Sequence, residues 1–356
     1  MKKRVTIYEI ASESGVSVST VSRVLNNSPS VSTDKYNRIK EVIDKYNFTP
    51  NSLARSLTNK QTMTLGVIIP DISNPFFASL FLEIERYALE HNYTLILCNT
   101  LYGGSSHGVK SPFNELMYFQ MMLDKQVDGV LIIGGQVDKE EISEDYINAL
   151  NELNRNIPVV IIGEHINSCD CLFIERNLAG GVSAAVQHLH ALGNVRIGFI
   201  GGEAGVRITT ARFEAYRNTL KSLSLPYDGS LVALSDYYIQ DGYISMNKVL
   251  SNSSPNPTAV IAINDMVAIG AMRAIYDANL KVPDNIAVVS CDQFFESDYL
   301  IPRLTTLDQQ NDYLGRLSIM KLISAINGVK ETISINHIPQ LIIRESCGSR
   351  LKKMRT

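Results

Sequence analysis

Two short stretches of the sequence carry residue types that could support catalysis or metal binding. The stretch GSSHG at 104–108 matches the G-x-S-x-G pattern, in which a nucleophilic serine, here Ser106, lies at a sharp turn from strand to helix. The preceding strand is predicted to end near Asn99 and the next helix to begin only around Pro112, so Ser106 falls in a loop. The second stretch holds His188 and His190, which lie two apart and so on different sides of a predicted helix, whereas a helical metal pair needs three or four.

Other signs of catalysis or of bound cofactors are weak in this sequence. Neither of the Gly-rich phosphate-binding patterns, G-x-x-x-x-G-K-[ST] or G-x-G-x-x-G, occurs. The five cysteines form no disulfide framework, and Cys169 and Cys171 are too close together for a comfortable bridge. Reduced thiols of a cytoplasmic protein are the simplest interpretation. The sequence therefore predicts no enzyme, no metal and no cofactor.

Polar residues at the ends of buried strands predict a binding site instead. From residue 64 onward, continuous apolar strands alternate with amphipathic helices such as 76–91 and 266–279, which is typical of parallel sheets covered on both faces. Roughly 285 residues exceed one such sheet, so two α/β lobes with a cleft are expected. Ligands bind beyond the carboxyl ends of parallel strands, so loops carrying Asp71, Glu164, Asn264 and Asp292 are expected to face the cleft.

The first 48 residues predict a small helical unit. TIYE at 6–9 is a capping box in which Thr6 caps a helix and Glu9 reaches back. Gly15 ends that helix, Ser17 can cap a second one, and Ser32 opens a third. Two helices joined by a tight Gly turn, with a third to close the core, form the helix-turn-helix pattern.

The charge is distributed unevenly between this head and the rest of the chain. The whole chain has a net charge of −3, yet residues 1–60 hold ten Lys/Arg against five acids, which leaves −8 on the remainder. A basic head on an acidic body predicts that only the head meets a polyanion. With 45% hydrophobic residues, no apolar signal region and no run near the roughly 18 residues of a membrane span, a cytoplasmic protein without membrane contact is expected.

Several quoted stretches together resemble one family. They are TIYEIASESGVSVSTVSRVLNNSPSVS, YNFTPNSLARSL, LGVIIPDISNPFF, VDGVLIIGG, IPVVIIGE, AVIAINDMVAIGAMRAI, IAVVSCDQ, PRLTTLDQ and IIRES. Taken in order over nearly the whole chain, they resemble the LacI/GalR family of bacterial transcriptional repressors. The resemblance implies a helix-turn-helix domain at 1–48, a hinge helix or linker at 49–62, and a two-lobed core at 63–346 that is similar to periplasmic sugar-binding proteins. A short basic tail at 347–356 remains, with no tetramer-forming segment expected.

The resemblance also implies how DNA is contacted. Residues 17–26 form the recognition helix, in which Val18 and Ser19 set base preference, although Val18 has the spacing of a core residue. Arg23 is placed for a guanine or a phosphate, and Leu57 matches a hinge leucine that wedges into the minor groove, unless it packs on the core. The remaining predicted DNA contacts are Thr6, Tyr8, Ser17, Thr20, Ser22, Asn26, Asn51, Ala54 and Arg55.

In the cleft, the resemblance implies a ligand-gripping Arg212 and a polyol-binding pair, Asn264 and Asp292. The other predicted effector contacts are Asn74, Phe76, Phe77, Glu164, Tyr237 and Gln309. Core packing is the alternative for each phenylalanine. The chain departs from the family pattern at Gly163 and Glu164, at Asn311 and in the long loop YGGSSHGVKSP. A neutral sugar is favoured over a purine, and two acids disfavour a sugar phosphate.

The sequence thus predicts a repressor that binds a pseudo-palindromic operator as a homodimer and responds to a small carbohydrate. Control by a phosphorylated carrier protein is one alternative. A sugar-binding transport protein is another, against which the head and the absent signal peptide both argue.

Overall fold

The structure is a computed structural model of the chain. It describes residues 5–25, 30–46, 48, 61–101, 115–329 and 339–349. The chain divides into two compact units, Met1–Thr62 and Met63–Thr356, which are termed the head and the core.

The described part of the head consists of three helices, α1 (Ile7–Ser14), α2 (Val18–Leu25) and α3 (Thr33–Tyr46). Thr6 and Glu9 form the predicted capping box, in which the Thr6 side chain accepts from the Glu9 N–H while the Glu9 carboxylate accepts from the Thr6 N–H at 2.7 Å. Gly15 ends α1 with φ of 63°, in the left-handed region that glycine adopts without strain. The prediction of a helix-turn-helix head is confirmed.

Apolar side chains from all three helices close the core of the head. Ile10, Val21 and Ile39 are each fully buried, one from each helix, and Val24 is 6% exposed. Their helical spacing on α2 explains why a segment rich in hydroxyl side chains still folds as a helix, since tertiary packing outweighs modest intrinsic propensity.

The first lobe of the core is built on a five-stranded parallel sheet in the order β2-β1-β3-β4-β5. Its elements are β1 (Thr64–Ile69), α4 (Pro75–Glu90), β2 (Thr94–Asn99), α5 (Glu115–Asp124), β3 (Gly129–Ile133), α6 (Glu144–Asn156), β4 (Val159–Ile162) and β5 (Leu172–Ile174). A short 3-10 helix, Gly135–Asp138, follows β3. Buried aliphatic residues on both faces of β1, β3 and β4 form the core of the lobe, as the apolar runs predict.

The second lobe contains a six-stranded sheet in the order β11-β10-β9-β8-β6-β7, in which only β11 pairs antiparallel. Its elements are α7 (Leu178–Ala191), β6 (Ile197–Ile200), α8 (Arg207–Ser222), β7 (Val232–Ala233), α9 (Ile239–Asn252), β8 (Ala259–Ala262), α10 (Asp265–Asp277), β9 (Ala287–Ser290), β10 (Thr305–Asp308) and β11 (Gln340–Ile342). Helices α9 and α10 pack closely because Gly242 and Gly270 face each other's backbone, where an added Cβ would lie 2.1 Å from the Val267 oxygen and 1.9 Å from the Ile239 oxygen.

The chain crosses between the two lobes more than once. It leaves β5 at residues 175–177 to enter α7, and after β10 it returns to α11 (Asn311–Ile326). Leu314, Leu317 and Leu322 of α11 pack into the core of the first lobe. The predicted architecture of two α/β lobes is therefore confirmed.

Cys347 is the first residue of the predicted basic tail. It is 3% exposed and belongs to the apolar core of the second lobe. The core thus reaches at least this residue. No helix within the described ranges is long and apolar enough to cross a membrane.

Candidate functional sites

Small hydroxyl side chains at the start of α2 form part of the exposed surface of the head. The Ser17 hydroxyl lies 2.9 Å from those of Ser19 and Thr20, and it also accepts from the Thr20 N–H at 3.3 Å as the predicted helix cap. Ser17 and Ser19 are exposed, and Arg23 is an exposed cation one turn further along. A narrow polar face of this kind can approach the base edges of a duplex closely.

The other predicted DNA contacts in the head fall into three groups. Thr6 is exposed, and Tyr8 is 72% exposed beside the capping box. Val18 and Ser22 are partly exposed, and Val18 also packs against the core of the head, so both interpretations of this valine have structural support. The predicted contacts that lie outside the described residues are Asn26, Asn51, Ala54, Arg55 and Leu57.

A cavity lies between the two lobes of the core, beyond the carboxyl ends of the strands. The space free of protein atoms in and above it is about 840 Å³, which includes volume open to solvent. Small ligands commonly bind in clefts between lobes or domains. The cavity brings together seven of the nine predicted effector contacts, namely Asn74, Phe76, Phe77, Arg212, Tyr237, Asn264 and Asp292.

Arg212 and Asp292 form a buried charged pair in the second lobe's wall. The Arg212 guanidinium is 3% exposed, donates to Asp292 Oδ1 at 2.7 Å and also donates to the Ile263 carbonyl at 2.8 Å. Burial opposes the charged form of Arg212, but the neighbouring Asp292 carboxylate keeps its pKa above the usual value. Arg212 is therefore held in its charged form in the cavity wall.

Asn264 and Asn74 both begin a helix as well as lining the cavity. Asn264 caps α10 by accepting from the Val267 N–H at 2.9 Å, and its amide donates to the Tyr237 carbonyl at 2.9 Å. Asn74 caps α4 by accepting from the Phe76 N–H at 3.1 Å. Each amide is thus fixed in orientation before any ligand arrives.

Aromatic side chains supply the apolar part of the wall. The rings of Phe76 and Phe77 meet edge to face, with centroids 5.3 Å apart. Phe76 is 8% exposed and packs into the core of the first lobe, whereas Phe77 is only partly buried. The Tyr237 hydroxyl lies 2.7 Å from that of Thr209. The two phenylalanines therefore combine core packing with a cavity-facing position.

Sequence reasoning missed several charged residues of the first lobe's wall, among them Asp138 and Arg176. Asp138 is 6% exposed, and burial raises the pKa of its carboxyl to about 6. Arg176 follows the three-residue strand β5, and its guanidinium lies 4.9 Å from the centroid of the Phe76 ring. The signal was available, since both residues follow buried strands, but β5 is too short to be predicted from its residues.

Two predicted effector contacts lie outside the cavity wall. Glu164 is exposed, and its carboxylate is 3.9 Å from the Arg207 guanidinium. Gln309 is 3% exposed, and its amide donates to the Cys291 carbonyl at 2.7 Å, next to the segment where the chain crosses between lobes. Tight packing around Gln309 and the outward direction of Glu164 keep both side chains from the wall.

His188 contacts the Cys347 sulfur at 3.3 Å, and the described residues contain no group of three side chains suited to a metal.

Polar contacts join the two lobes on either side of the cavity. The Tyr238 hydroxyl of the second lobe donates to Asp71 of the first at 2.6 Å. Lys139 and Glu203 form an ion pair at 3.0 Å, and Arg207 donates to the Lys139 carbonyl at 2.8 Å. These contacts hold the two lobes together at the edges of the cavity.

Comparison with known proteins explains the combination of a helix-turn-helix head and a two-lobed core. Residues 6–51 match the profile described as bacterial regulatory proteins, lacI family, and residues 186–347 match a periplasmic binding protein-like domain. The chain is 30% identical over 350 residues to the transcriptional repressor PurR of Haemophilus influenzae (strain PittEE), with 97% of this chain and 99% of the relative covered. The chain belongs to the LacI family. It is also 33% identical over 344 residues to catabolite control protein A of Priestia megaterium, covering 95% of this chain and 97% of that relative.

Solved structures agree with the fold of this LacI-family chain. The lac repressor dimer bound to operator and the anti-inducer ONPF superimposes with a TM-score of 0.83 at 24% identity, covering 97% of this chain and 99% of that one. At this level of identity the likeness concerns the fold.

Membership of the family identifies the general activity of the chain. The relatives are transcriptional regulators and not enzymes, in agreement with the expected absence of catalysis. The LacI-family chain is a DNA-binding transcriptional regulator, and its head carries the DNA-binding motif.

Proposed function

We propose that this LacI-family regulator is a repressor that binds a pseudo-palindromic operator as a homodimer and responds to a small carbohydrate in the interlobe cavity. The observation that carries the proposal is the cavity itself, in which charged, amide and aromatic side chains from both lobes converge. We further propose that residues 1–48 form the DNA-binding domain and that residues 49–62 form a hinge leading into the core.

Operator reading is assigned to the exposed start of α2. Val18 and Ser19 lie where a thymine methyl or another base edge can be reached, and Arg23 can donate to guanine or to a phosphate. Thr6 and Tyr8 are exposed at the start of α1, where they can position the head on phosphates. Leu57 is proposed as the minor-groove wedge of the hinge.

A dimer is supported by an apolar surface on the second lobe. Phe295, Tyr299 and Ile301 are 78%, 70% and 96% exposed, and the two aromatic rings lie 5.1 Å apart. Apolar residues this exposed and this close in the chain are typical of an interface between subunits. A dimer formed through this surface of the core carries two heads, one for each half-site of a pseudo-palindrome.

A carbohydrate effector is supported by the chemistry of the cavity wall and by related folds. Asp292 can accept from ring hydroxyls, Arg212 can donate to them, and an aromatic face can cover the apolar side of a sugar. Similar folds have been solved as a complex of the regulator CelR with cellobiose and as a Lactobacillus casei regulator with bound sucrose. A ligand that contacts both lobes stabilises the arrangement of the lobes to which it binds. We propose that this arrangement sets the spacing of the two heads in the dimer and thereby the affinity for the operator.

A binding-site selection with the full-length protein tests the DNA part of the proposal. Random duplexes are enriched on the protein, and the selected sequence is measured by fluorescence anisotropy. We expect a two-fold symmetric site whose affinity falls by a factor of about 10³ or more between about 50 and 200 mM salt. An asymmetric consensus, or affinity insensitive to salt, would contradict operator binding by two basic heads.

The effector part is tested on the same complex with a panel of mono- and disaccharides. We expect at least one sugar to raise the melting temperature and to change operator affinity about 5- to 150-fold. The matched control is Ile301→Asp, which should yield monomers by light scattering and weaken operator binding while leaving sugar binding intact. If no sugar acts but a phosphorylated carrier protein does, the alternative mode of control is correct.

A further inference from the structure

Arg176 is an unpaired cation in the wall of the interlobe cavity. Its guanidinium is partly buried and forms neither a hydrogen bond nor an ion pair within 4.0 Å with any residue that the structure describes. Its contact is with the ring of Phe76, 4.9 Å away. An aromatic face attracts the cation but offers no lone pair to the five N–H donors at the edge of the guanidinium.

The surroundings of Arg176 make this lack of a partner costly. Burial lowers its pKa, and repulsion from the Arg212 guanidinium lowers it further, while Asp138 and Asp292 only partly compensate. A buried cation without hydrogen-bond acceptors destabilises the folded state. An anion that entered the cavity beside Arg176 would remove this penalty.

The carboxylates elsewhere in the wall are already engaged. Glu203 pairs with Lys139 at 3.0 Å, Asp292 accepts from Arg212 at 2.7 Å, and Asp71 accepts from Tyr238 at 2.6 Å. Another wall carboxylate, Asp236, accepts from the N–H of Tyr237 at 2.8 Å. These carboxylates therefore have donors of their own, while the edge of the Arg176 guanidinium has no acceptor among the residues that the structure describes.

Asp138 is the other unpaired charged group in the wall. Its carboxyl is 6% exposed and has no hydrogen-bond or ion-pair partner among the described residues. It can accept a hydrogen bond from a hydroxyl, and because burial raises its pKa to about 6, its protonated form can also donate to an oxyanion below that pH. Asp138 and Arg176 together thus suit a ligand that carries an oxyanion beside hydroxyl groups.

We propose that the effector is an acidic carbohydrate, whose carboxylate or phosphate is bound by Arg176 on the first lobe while its hydroxyls contact Asp138, Arg212 and Asp292. This inference rests on the proposed control by a carbohydrate. It replaces the expectation of a neutral sugar, which counted two acids of the cleft but not Arg176. The planar guanidinium fork matches either oxyanion in a two-pronged geometry.

Arg176 also lies where a bound anion can act on the lobes. It belongs to residues 175–177, through which the chain leaves β5 for α7, and it contacts Phe76 at the start of α4. A ligand held between Arg176 and the Arg212–Asp292 pair bridges both lobes. The charge of the ligand therefore contributes to lobe closure as well as to affinity.

The test compares matched ligands on the full-length protein by calorimetry and thermal shift. The sets are glucose, glucuronate and glucose 6-phosphate, and galactose, galacturonate and galactose 6-phosphate. We expect an acidic member to bind about 10- to 150-fold more tightly than its neutral parent, as a charge-assisted bidentate contact implies. Whether the uronate or the phosphate binds identifies the oxyanion.

Variants of Arg176 assign the effect to this residue. Arg176→Gln should abolish the preference for the acidic ligand, Arg176→Lys should keep part of it, and the exposed, distant Arg217→Gln should leave it unchanged. A neutral sugar that binds wild type more tightly than its acidic forms overturns the inference and leaves the proposed function standing. Failure of every neutral and acidic sugar to bind a protein that still binds operator overturns both. The comparison of neutral and acidic sugars on the wild-type protein decides whether the inference holds, even if a variant does not fold.

Discussion

Arg212 and Asp292 form an ion pair of 2.7 Å at the floor of the interlobe cavity, with side chains 3% and 10% exposed. Arg212 extends from α8, whereas Asp292 lies just beyond β9, so the contact joins two elements that are 80 residues apart in the chain. The pair holds the cavity wall in shape as well as presenting polar atoms to a ligand.

Removing one member of this pair should destabilise the core strongly. Asp292→Ala leaves a buried guanidinium without its counter-ion, and we expect a loss of about 3–5 kcal/mol in the free energy of unfolding. Urea unfolding followed by circular dichroism measures it. The control is Glu214→Ala, which breaks an ion pair of 2.9 Å whose side chains are 48% and 46% exposed. That change should cost less than about 1 kcal/mol. Equal effects of the two variants would contradict a structural role for the buried pair.

The turn after α1 should depend on the backbone of Gly15 alone. An added Cβ would meet no atom within 4 Å, so a substitution is penalised only by the φ of 63°. Gly15→Ala should destabilise the head by about 1–2 kcal/mol, and Gly15→Asn by less, because asparagine tolerates the left-handed region. Hydrogen exchange of the α1 amides in the full-length protein measures the difference. Equal protection in the alanine variant and wild type would show that the turn is not strained.

Substitutions at two positions of α2 should distinguish residues that contact bases of the operator from residues that stabilise the head. Ser19 is exposed, so Ser19→Ala should preserve stability and change base preference at one position, by about 1–3 kcal/mol. Val21 is fully buried, so Val21→Ala should cost about 1.5–3 kcal/mol of head stability and weaken binding to all sequences alike. Site selection and thermal unfolding measure the two effects. A Ser19→Ala protein with the wild-type consensus would remove this residue from the reading surface.

Asp138 should make the stability of the core fall as pH rises. Burial raises its pKa to about 6 in the folded chain, above the ordinary aspartate value of 3.8, so folding favours the protonated form. Stability is therefore lost between about pH 4 and 6 and stays lower above that range. The charged groups that face this carboxyl are Arg176, Arg207, Arg212, Glu115 and Glu164.

Replacing the carboxyl by an amide tests this pH dependence. Asp138→Asn should raise the free energy of unfolding by about 1–3 kcal/mol at about pH 8 and change little at about pH 4. The same variant should weaken effector binding, because an amide offers one acceptor oxygen to the ligand hydroxyls where the ionised carboxylate offers two. Asp265 is the matched control, because burial also raises the pKa of its carboxyl to about 6. Unlike Asp138, it accepts hydrogen bonds from the hydroxyls of Ser290, Ser297 and Thr306. Asp265→Asn should destabilise the core, because it loses acceptors for these hydroxyls.

Local signals in the sequence are sufficient to predict the helices of the head and most of the buried strands of the core. The Thr6–Glu9 capping box and the Gly15 turn depend on residues three to nine positions apart, so both can be predicted from the sequence without knowledge of the tertiary structure. The apolar runs predicted β1, β3, β4, β6, β8 and β9, because strands buried on both faces need continuous apolar residues. The resemblance then placed Arg212, Asn264 and Asp292 on one site, and all three line the cavity.

Tertiary structure decided which charges share the cavity and which remain unpaired. The sequence alone determined a basic helix-turn-helix head and a two-lobed core, because hydrophobic periodicity, helix caps and residue order are properties of the chain. It could not show that Arg176 meets the Phe76 ring, that Asp138 is buried opposite Arg212, or that Gln309 is packed away from the cavity. Those outcomes depend on distances between residues far apart in sequence, and burial and charge compensation are set only when the lobes fold and close.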